Sequence, residues 1–167
     1  DSEMRTLLKF PVRALGPVAA VPFLEAIRSG SGALLALAAI SLVALSSYAT
    51  TLGFTLIAPF GASAVLLFAA VNSPLAQPWP VVVGNTASAI VAVGVCAVIP
   101  EPLIAAPLSV AGAILTMAVL RATHPPGGAV ALTVALAAGQ GSIPEITYVV
   151  IPVAAGSLVL VRTTATG

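Results

Sequence analysis

Charged residues are scarce in this sequence, and their scarcity distinguishes a membrane protein from a soluble one. Only 7% of the 167 residues are charged, against roughly 25% in an ordinary soluble domain. Six Lys and Arg stand against five Asp and Glu, and the net charge of +1 is too small for a nucleic-acid-binding surface. The mean hydropathy is +1.15, and the apolar runs are long enough to cross a bilayer. The sequence therefore predicts a membrane protein with no nucleic-acid partner.

Cysteine and histidine occur once each, as Cys96 and His124. A single Cys in an apolar run provides neither a disulfide framework nor a cysteine metal site. The histidine has no intramembrane carboxylate and no nearby Cys, so neither a zinc site nor a catalytic dyad is predicted. Ser63 lacks the glycine pattern of a serine hydrolase and has no base other than the distant His124. We expect no metal, no cofactor and no enzymatic activity.

Most of the charged residues lie near the N-terminus. Of the eleven, seven precede Ser29, and the other four are Glu101, Arg121, Glu145 and Arg162. Residues 1–30 mix basic and apolar residues with three prolines, which favours an interfacial or cytoplasmic arm with a short amphipathic piece at 22–28. The prolines and interspersed charges argue against a secretory signal peptide.

Six apolar segments follow the arm, at about 32–48, 59–72, 80–99, 103–120, 125–138 and 146–161. The second and fifth are short, because at about 1.5 Å per residue each covers roughly 20 Å of a hydrocarbon core roughly 30 Å thick. Each begins at a proline that is closely followed by glycine. This pattern predicts two half-helices that are preceded by non-helical chain.

The two short segments also mark an internal repeat. A shift of 66 residues places Pro59 on Pro125 and Gly61 on Gly127 without a gap. We predict an all-α polytopic membrane protein of about six segments, built from two inverted repeats of three segments: a long transmembrane helix, a short broken half-helix and a long transmembrane helix. The expected divisions are an arm at 1–30, repeats at 31–96 and 97–163, and a tail at 164–167. A four-span topology, in which the short segments are re-entrant and the repeats parallel, stays open.

Charge placement predicts the orientation in the membrane. The basic arm favours a cytoplasmic N-terminus in a multi-pass protein of the inner (plasma) membrane. Six crossings then place the loops at 100–102 and 139–145 outside, and Arg121 and Arg162 inside. Both predicted outer loops lack Lys and Arg, as this orientation requires.

One polar stretch at membrane depth, residues 121–128, has the groups needed to bind an anion. The first N–H groups of a helix lack intrahelical partners, and the macrodipole makes that end partly positive. Arg121 and His124 add side-chain donors, and the start of the second segment adds the hydroxyl of Ser63. Two such helix ends facing each other would form an electropositive cage, with candidate contacts at Gly61, Ala62, Ser63, Arg121, Thr123, His124, Gly127, Gly128 and Ala129.

Structural alternatives accompany these candidates. Arg121 could be an anchor at a helix end, and His124 could cap the preceding helix. Asn85, inside the third segment, either lines the pathway or bridges two helices, because an amide in a membrane helix is expensive without a partner.

The stretch THPPGGA at 123–129 resembles the signature of the HPP family of integral membrane proteins. APFGASA at 58–64, and QPW at 77–79 followed by Gly84 and Asn85, resemble other blocks of that family. The resemblance extends over about 32–161. It implies a compact membrane domain, usually assigned four spans, whose characterised plant-plastid and cyanobacterial members are linked to nitrite transport.

These observations predict a transporter or channel for a small monovalent anion in the lipid bilayer, with nitrite as the first candidate. Nitrate, formate and chloride are alternative substrates, and a non-transporting membrane scaffold or subunit is an alternative function. A cation or proton carrier would need an intramembrane carboxylate, which the sequence lacks. Homo-oligomerisation stays open, and the abrupt ends leave open that the chain is a fragment.

Overall fold

The computed structural model describes residues 22–47, 57–140 and 149–165, and every regular element in these ranges is helical. The prediction of an all-helical polytopic membrane protein with six segments is confirmed. The six α-helices of the described ranges are α1 (Phe23–Ser47), α2 (Ile57–Ala69), α3 (Asn85–Val98), α4 (Pro102–Val119), α5 (Pro125–Gly139) and α6 (Gly156–Ala165). The π-helical turns Pro80–Gly84 and Val149–Ala155 lead into α3 and α6, and a 3-10 turn, Pro74–Ala76, follows α2.

Three stretches of the described helices are long and apolar enough, by length and composition, to cross a membrane: Phe23–Leu42, Pro80–Val98 and Pro102–Val119. The second and fifth helices are shorter, with 13 residues in α2 and 15 in α5. At about 1.5 Å per residue they extend about 20 Å and about 22 Å, less than the hydrocarbon thickness. Residues 1–21 of the expected arm and most of the expected 139–145 loop lie outside the described residues.

The first helix begins earlier than the sequence indicates. The expected amphipathic piece at 22–28 is not a separate element, because α1 begins at Phe23 and continues to Ser47. No proline lies between Phe23 and Ser47, so Gly30 and Gly32, in the N-terminal half of the helix, are the main cost to helicity. Gly32 has a packing role, since a Cβ there would lie 2.6 Å from the ring of Phe68. The helix therefore joins the expected arm to the first membrane segment.

The two halves of the chain exchange their third helices. In the first half α1 packs on α2, and in the second half α4 packs on α5. The third helix of the first half, α3, packs on α4 and α5, while α6 packs on α1 and α2. The third helix of each half thus packs on the first two helices of the other half, as expected of a repeat. The apolar core between the halves includes Phe60, Val81, Val130, Val134, Val153 and Leu160.

Gly84 lies where the start of α3 touches the connection between α4 and α5. A Cβ at this position would lie 2.6 Å from the Ala122 carbonyl oxygen and 2.9 Å from the His124 Cβ. Because backbone cannot easily move away, we expect Gly84→Ala to lower the free energy of unfolding by about 1–3 kcal/mol. Thermal unfolding of the purified protein in detergent measures this effect.

Gly94, on the same helix, is the matched control. A Cβ at Gly94 would meet no heavy atom within 4 Å, so Gly94→Ala should raise the free energy of unfolding by about 0.5–1 kcal/mol through the better helix propensity of Ala. Equal shifts in the two variants would contradict the close contact at Gly84.

Candidate functional site

Four polar side chains in the interior of the bundle form one hydrogen-bonded group, which we call the polar core: Ser63, Asn85, His124 and Ser157. Each is 0% exposed. They come from α2, the first residue of α3, the residue before α5 and the second residue of α6. Both halves of the chain therefore contribute to the polar core, and it lies where the exchanged helices meet.

The hydrogen bonds of His124 fix its tautomer. Its Nδ1 lies 2.8 Å from the Leu75 carbonyl oxygen, and a carbonyl can only accept, so Nδ1 carries a proton. Its Nε2 lies 2.9 Å from Ser63 Oγ. Burial lowers the pKa of this imidazole, which lies outside the three candidate spans, and the bond to Leu75 opposes that effect. In the neutral ring Nε2 is an acceptor, so the Ser63 hydroxyl donates to it.

The hydrogen bond from Ser63 to His124 determines the orientation of the Asn85 amide. Since the Ser63 proton is used on His124, Ser63 Oγ can only accept, and Asn85 Nδ2 donates to it over 3.5 Å. The same Nδ2 donates to Ser157 Oγ at 3.1 Å. The amide oxygen Oδ1 is buried and has no hydrogen-bond partner among the described residues. An unsatisfied buried acceptor costs about 1–3 kcal/mol, so the polar core is incomplete without a further donor.

Asn85 and Ser157 occupy equivalent positions relative to the prolines of the two π-helical turns. Pro80 precedes Gly84 and Asn85 as Pro152 precedes Gly156 and Ser157, at a shift of 72 residues. Turns of this kind are frequent at functional sites because they interrupt the regular helix and re-aim side chains. Ser157 was not among the residues predicted from the sequence, although this second spacing indicates it.

The start of α2 does not offer the backbone donors that the sequence predicts. The helix begins at Ile57, two residues before Pro59. Three of the predicted contacts lie beyond the first four positions of this helix: Gly61, Ala62 and Ser63. Their N–H groups therefore bond to carbonyl groups within the helix. Ser63 reaches the interior through its side chain, Gly61 is half-buried, and Ala62 is exposed.

The start of α5 is also poor in backbone donors. Pro125 and Pro126 fix the entry to the helix, but as prolines they carry no N–H group. The Gly127 N–H donates to the His124 carbonyl at 2.8 Å. Gly128 and Ala129, both half-buried, follow inside the helix. The expected cage of backbone N–H groups is thus replaced by the side chains of the polar core.

Arg121 occupies a strained turn at the end of α4. Its φ is 51°, the left-handed conformation that usually belongs to glycine at a helix C-terminus. The Arg121 N–H donates to Ala118 at 3.2 Å, and the Ala122 N–H donates to Met117 at 2.8 Å, the bonding pattern of a Schellman motif. A non-glycine residue in this conformation costs about 1–2 kcal/mol. Strain of this kind clusters at functional sites.

The polar side chains of residues 121–123 face outward. Arg121 and Thr123 are exposed. Trp79 is 58% exposed, and its Nε1 donates to the Leu120 carbonyl at 3.2 Å. Trp and Arg at one end of a bundle are typical of a membrane–water interface. The structure therefore brings Ser63, Asn85 and His124 together inside the bundle and leaves Arg121 outside them, at one end.

Ser63→Ala tests whether the polar core stabilises the fold. The change removes the hydroxyl that bonds His124, so Nε2 is left buried without a donor. We expect the free energy of unfolding to fall by about 1–3 kcal/mol, measured by thermal unfolding in detergent. Ser109 is an equally buried serine outside the polar core, and its side-chain neighbour is the thiol of Cys96, a weak hydrogen-bonding group. Ser109→Ala should therefore cost less stability than Ser63→Ala, and equal losses in both variants would contradict the network.

Comparison with known proteins shows that the chain matches a family of transmembrane domains. A family model described as the transmembrane region of HPP matches residues 18–166, which confirms the resemblance carried by 123–129. Two transmembrane proteins of Dictyostelium discoideum are similar: one is 40% identical over 112 residues, covering 65% of this chain and 36% of its own length. The other is 34% identical over 116 residues, covering 65% of this chain and 39% of its own length. The chain thus spans less than half the length of these curated relatives. No solved structure matches.

Proposed function

Because the chain belongs to the HPP transmembrane family, we propose that it carries a small monovalent anion across the membrane, with nitrite as the first candidate. The observation that supports this proposal is the buried side-chain amide of Asn85, which is incompletely bonded: one of its two polar ends has no partner among the described residues. Networks that serve only to hold helices together normally satisfy their polar atoms. A polar group left incomplete inside a membrane bundle is a mark of a ligand pathway.

The exposed Arg121 provides the charge in this proposal. Its guanidinium is permanently charged, and a neutral bundle interior leaves an approaching anion few other positive groups. Arg121 gathers the anion at one end of the bundle, and the polar core replaces part of its hydration inside. Binding by a few side-chain donors stays weak enough for release. The proposal includes the inner membrane with a cytoplasmic N-terminus, which rests on the basic residues of the arm.

Anion uptake by proteoliposomes tests this proposal. Nitrite, nitrate, formate and chloride are compared for the wild-type protein, Arg121→Gln and the matched charge control Arg162→Gln. Nitrous acid crosses lipid unaided, so empty liposomes and alkaline pH are required controls. We expect protein-dependent nitrite uptake that is lost in Arg121→Gln and kept in Arg162→Gln. No flux of any anion from folded protein would instead favour a membrane scaffold.

A further inference from the structure

With its hydrogen bonds in this direction, the polar core presents an atom of negative partial charge to an anion. With His124 neutral, Ser63 donates to Nε2 and Asn85 donates to both serines. Within the described part of the chain, the atom that remains without a partner is therefore a carbonyl oxygen, Asn85 Oδ1. A carbonyl oxygen accepts hydrogen bonds and repels an anion.

A proton added at His124 Nε2 reverses this direction. The protonated ring has donors at both nitrogens, so Nε2–H donates to Ser63 Oγ while Nδ1–H keeps its bond to Leu75. The Ser63 hydroxyl then needs an acceptor, and Asn85 supplies one when its amide turns by half a rotation. Oδ1 then accepts from Ser63 and Ser157, and the NH₂ group takes the position of the unpartnered oxygen. The two amide atoms are nearly equal in size, so the rotation needs no extra room.

We propose that anion binding at the polar core requires protonation of His124, so that one proton accompanies each anion. This inference rests on the proposed function and concerns the same site. A proton from water binds at Nε2, the anion accepts from the Asn85 NH₂ group, and both leave together on the other side. No covalent bond to the anion forms or breaks. The movement of one proton with one monovalent anion is electrically neutral. The bond from Asn85 to Ser63 is long, at 3.5 Å, so turning the amide breaks one short bond, the 3.1 Å bond to Ser157.

The surroundings of His124 leave it as the group that titrates. Helices α2, α4 and α5 and the 3-10 turn at Pro74–Ala76 contain no Asp, Glu, Lys, Arg, Cys or Tyr. On α3 and its leading turn the one titratable residue is Cys96, which packs with Ala105 and Ala135 in a separate cluster. Arg121 lies in the same connection as His124 and is exposed, and α6 carries Arg162, which is also exposed. A positive charge on His124 therefore has no carboxylate beside it in the described residues, and a bound anion neutralises it.

Calorimetric titration of the purified detergent-solubilised protein with nitrite tests the coupling. Titrations at slightly alkaline pH, in buffers that differ in ionisation enthalpy, give the number of protons taken up per anion. We expect the wild-type protein and Ser109→Ala to take up about one proton per nitrite, and nitrite affinity to fall about tenfold for each unit of rising pH. His124→Gln should take up none, and any affinity that it retains should not depend on pH.

The outcomes separate this inference from the proposed function. Nitrite binding by the wild-type protein without proton uptake would overturn the coupling and leave anion transport standing. Absence of nitrite binding would overturn both. Because the proton count is read on the wild-type protein, the test does not depend on whether His124→Gln folds. Ser63→Ala is a second variant, in which His124 remains but its link to Asn85 is broken; unaltered proton uptake there would also contradict the mechanism.

Discussion

Arg121→Gly is expected to preserve or stabilise the fold while reducing anion uptake about tenfold or more, the effect of losing one charged hydrogen-bond donor. Glycine adopts the left-handed conformation of residue 121 without steric cost, so relief of strain should raise the free energy of unfolding by about 1 kcal/mol. The side chain is exposed, and little packing is lost. Thermal unfolding in detergent and uptake by proteoliposomes measure the two effects on one preparation.

The opposite signs of these effects make the variant informative. A residue retained only as a lipid anchor would lose nothing in transport when replaced by glycine. Arg121→Lys keeps the charge and the strained backbone, and it should therefore keep most of the uptake without the gain in stability. If Arg121→Gly were more stable and transported anions normally, Arg121 would have no part in the pathway, and the strain at its turn would need another explanation.

The helices could be predicted from the sequence because their determinants are local. Apolar runs bounded by Pro and Gly identify α2 to α5, and the observed starts at Pro102 and Pro125 lie within one residue of the expected ones. The start of α2 at Ile57 was missed, because Pro59 is compatible with the first turn as well as with the first position. The continuation of α1 to Phe23 was missed for a similar reason: the charges near its start do not break a helix.

The site was less accessible to sequence reasoning. His124, Ser63 and Asn85 were chosen as polar residues in an apolar chain, and that criterion does not depend on tertiary structure. Their connection does, since the contact between Ser63 and His124 spans 61 residues and that between Asn85 and Ser157 spans 72. Ser157 lies in a stretch with ordinary small residues and has no local signal beyond its spacing from Gly156 and Pro152. The left-handed conformation of Arg121 was also hidden, because glycine is the residue that normally indicates such a turn.

Asn85→Leu is expected to reduce anion uptake to the level of empty liposomes with little change in stability. Leucine has the branched shape of asparagine but no polar atoms. The change removes two hydrogen bonds, worth about 0.5–1.5 kcal/mol each, and also removes the unpartnered buried oxygen, which costs about 1–3 kcal/mol. These contributions nearly cancel, so the free energy of unfolding should change by about 1 kcal/mol or less. Anion uptake should be lost, because Asn85 is the one amide among the four residues of the polar core and no other can replace it in binding the anion.

Ser109→Ala is the control for this experiment, because it alters a buried polar residue outside the polar core and should transport at the wild-type rate. Uptake is measured beside thermal unfolding in detergent for all three proteins. Normal uptake by a stable Asn85→Leu protein would show that the anion takes a path that avoids the polar core. A marked loss of stability would show that the bonds to Ser63 and Ser157 outweigh the unpartnered oxygen. Loss of uptake from a stable protein would identify Asn85 as a binding residue. If Asn85 only joined helices, a variant that kept the fold would also keep transport.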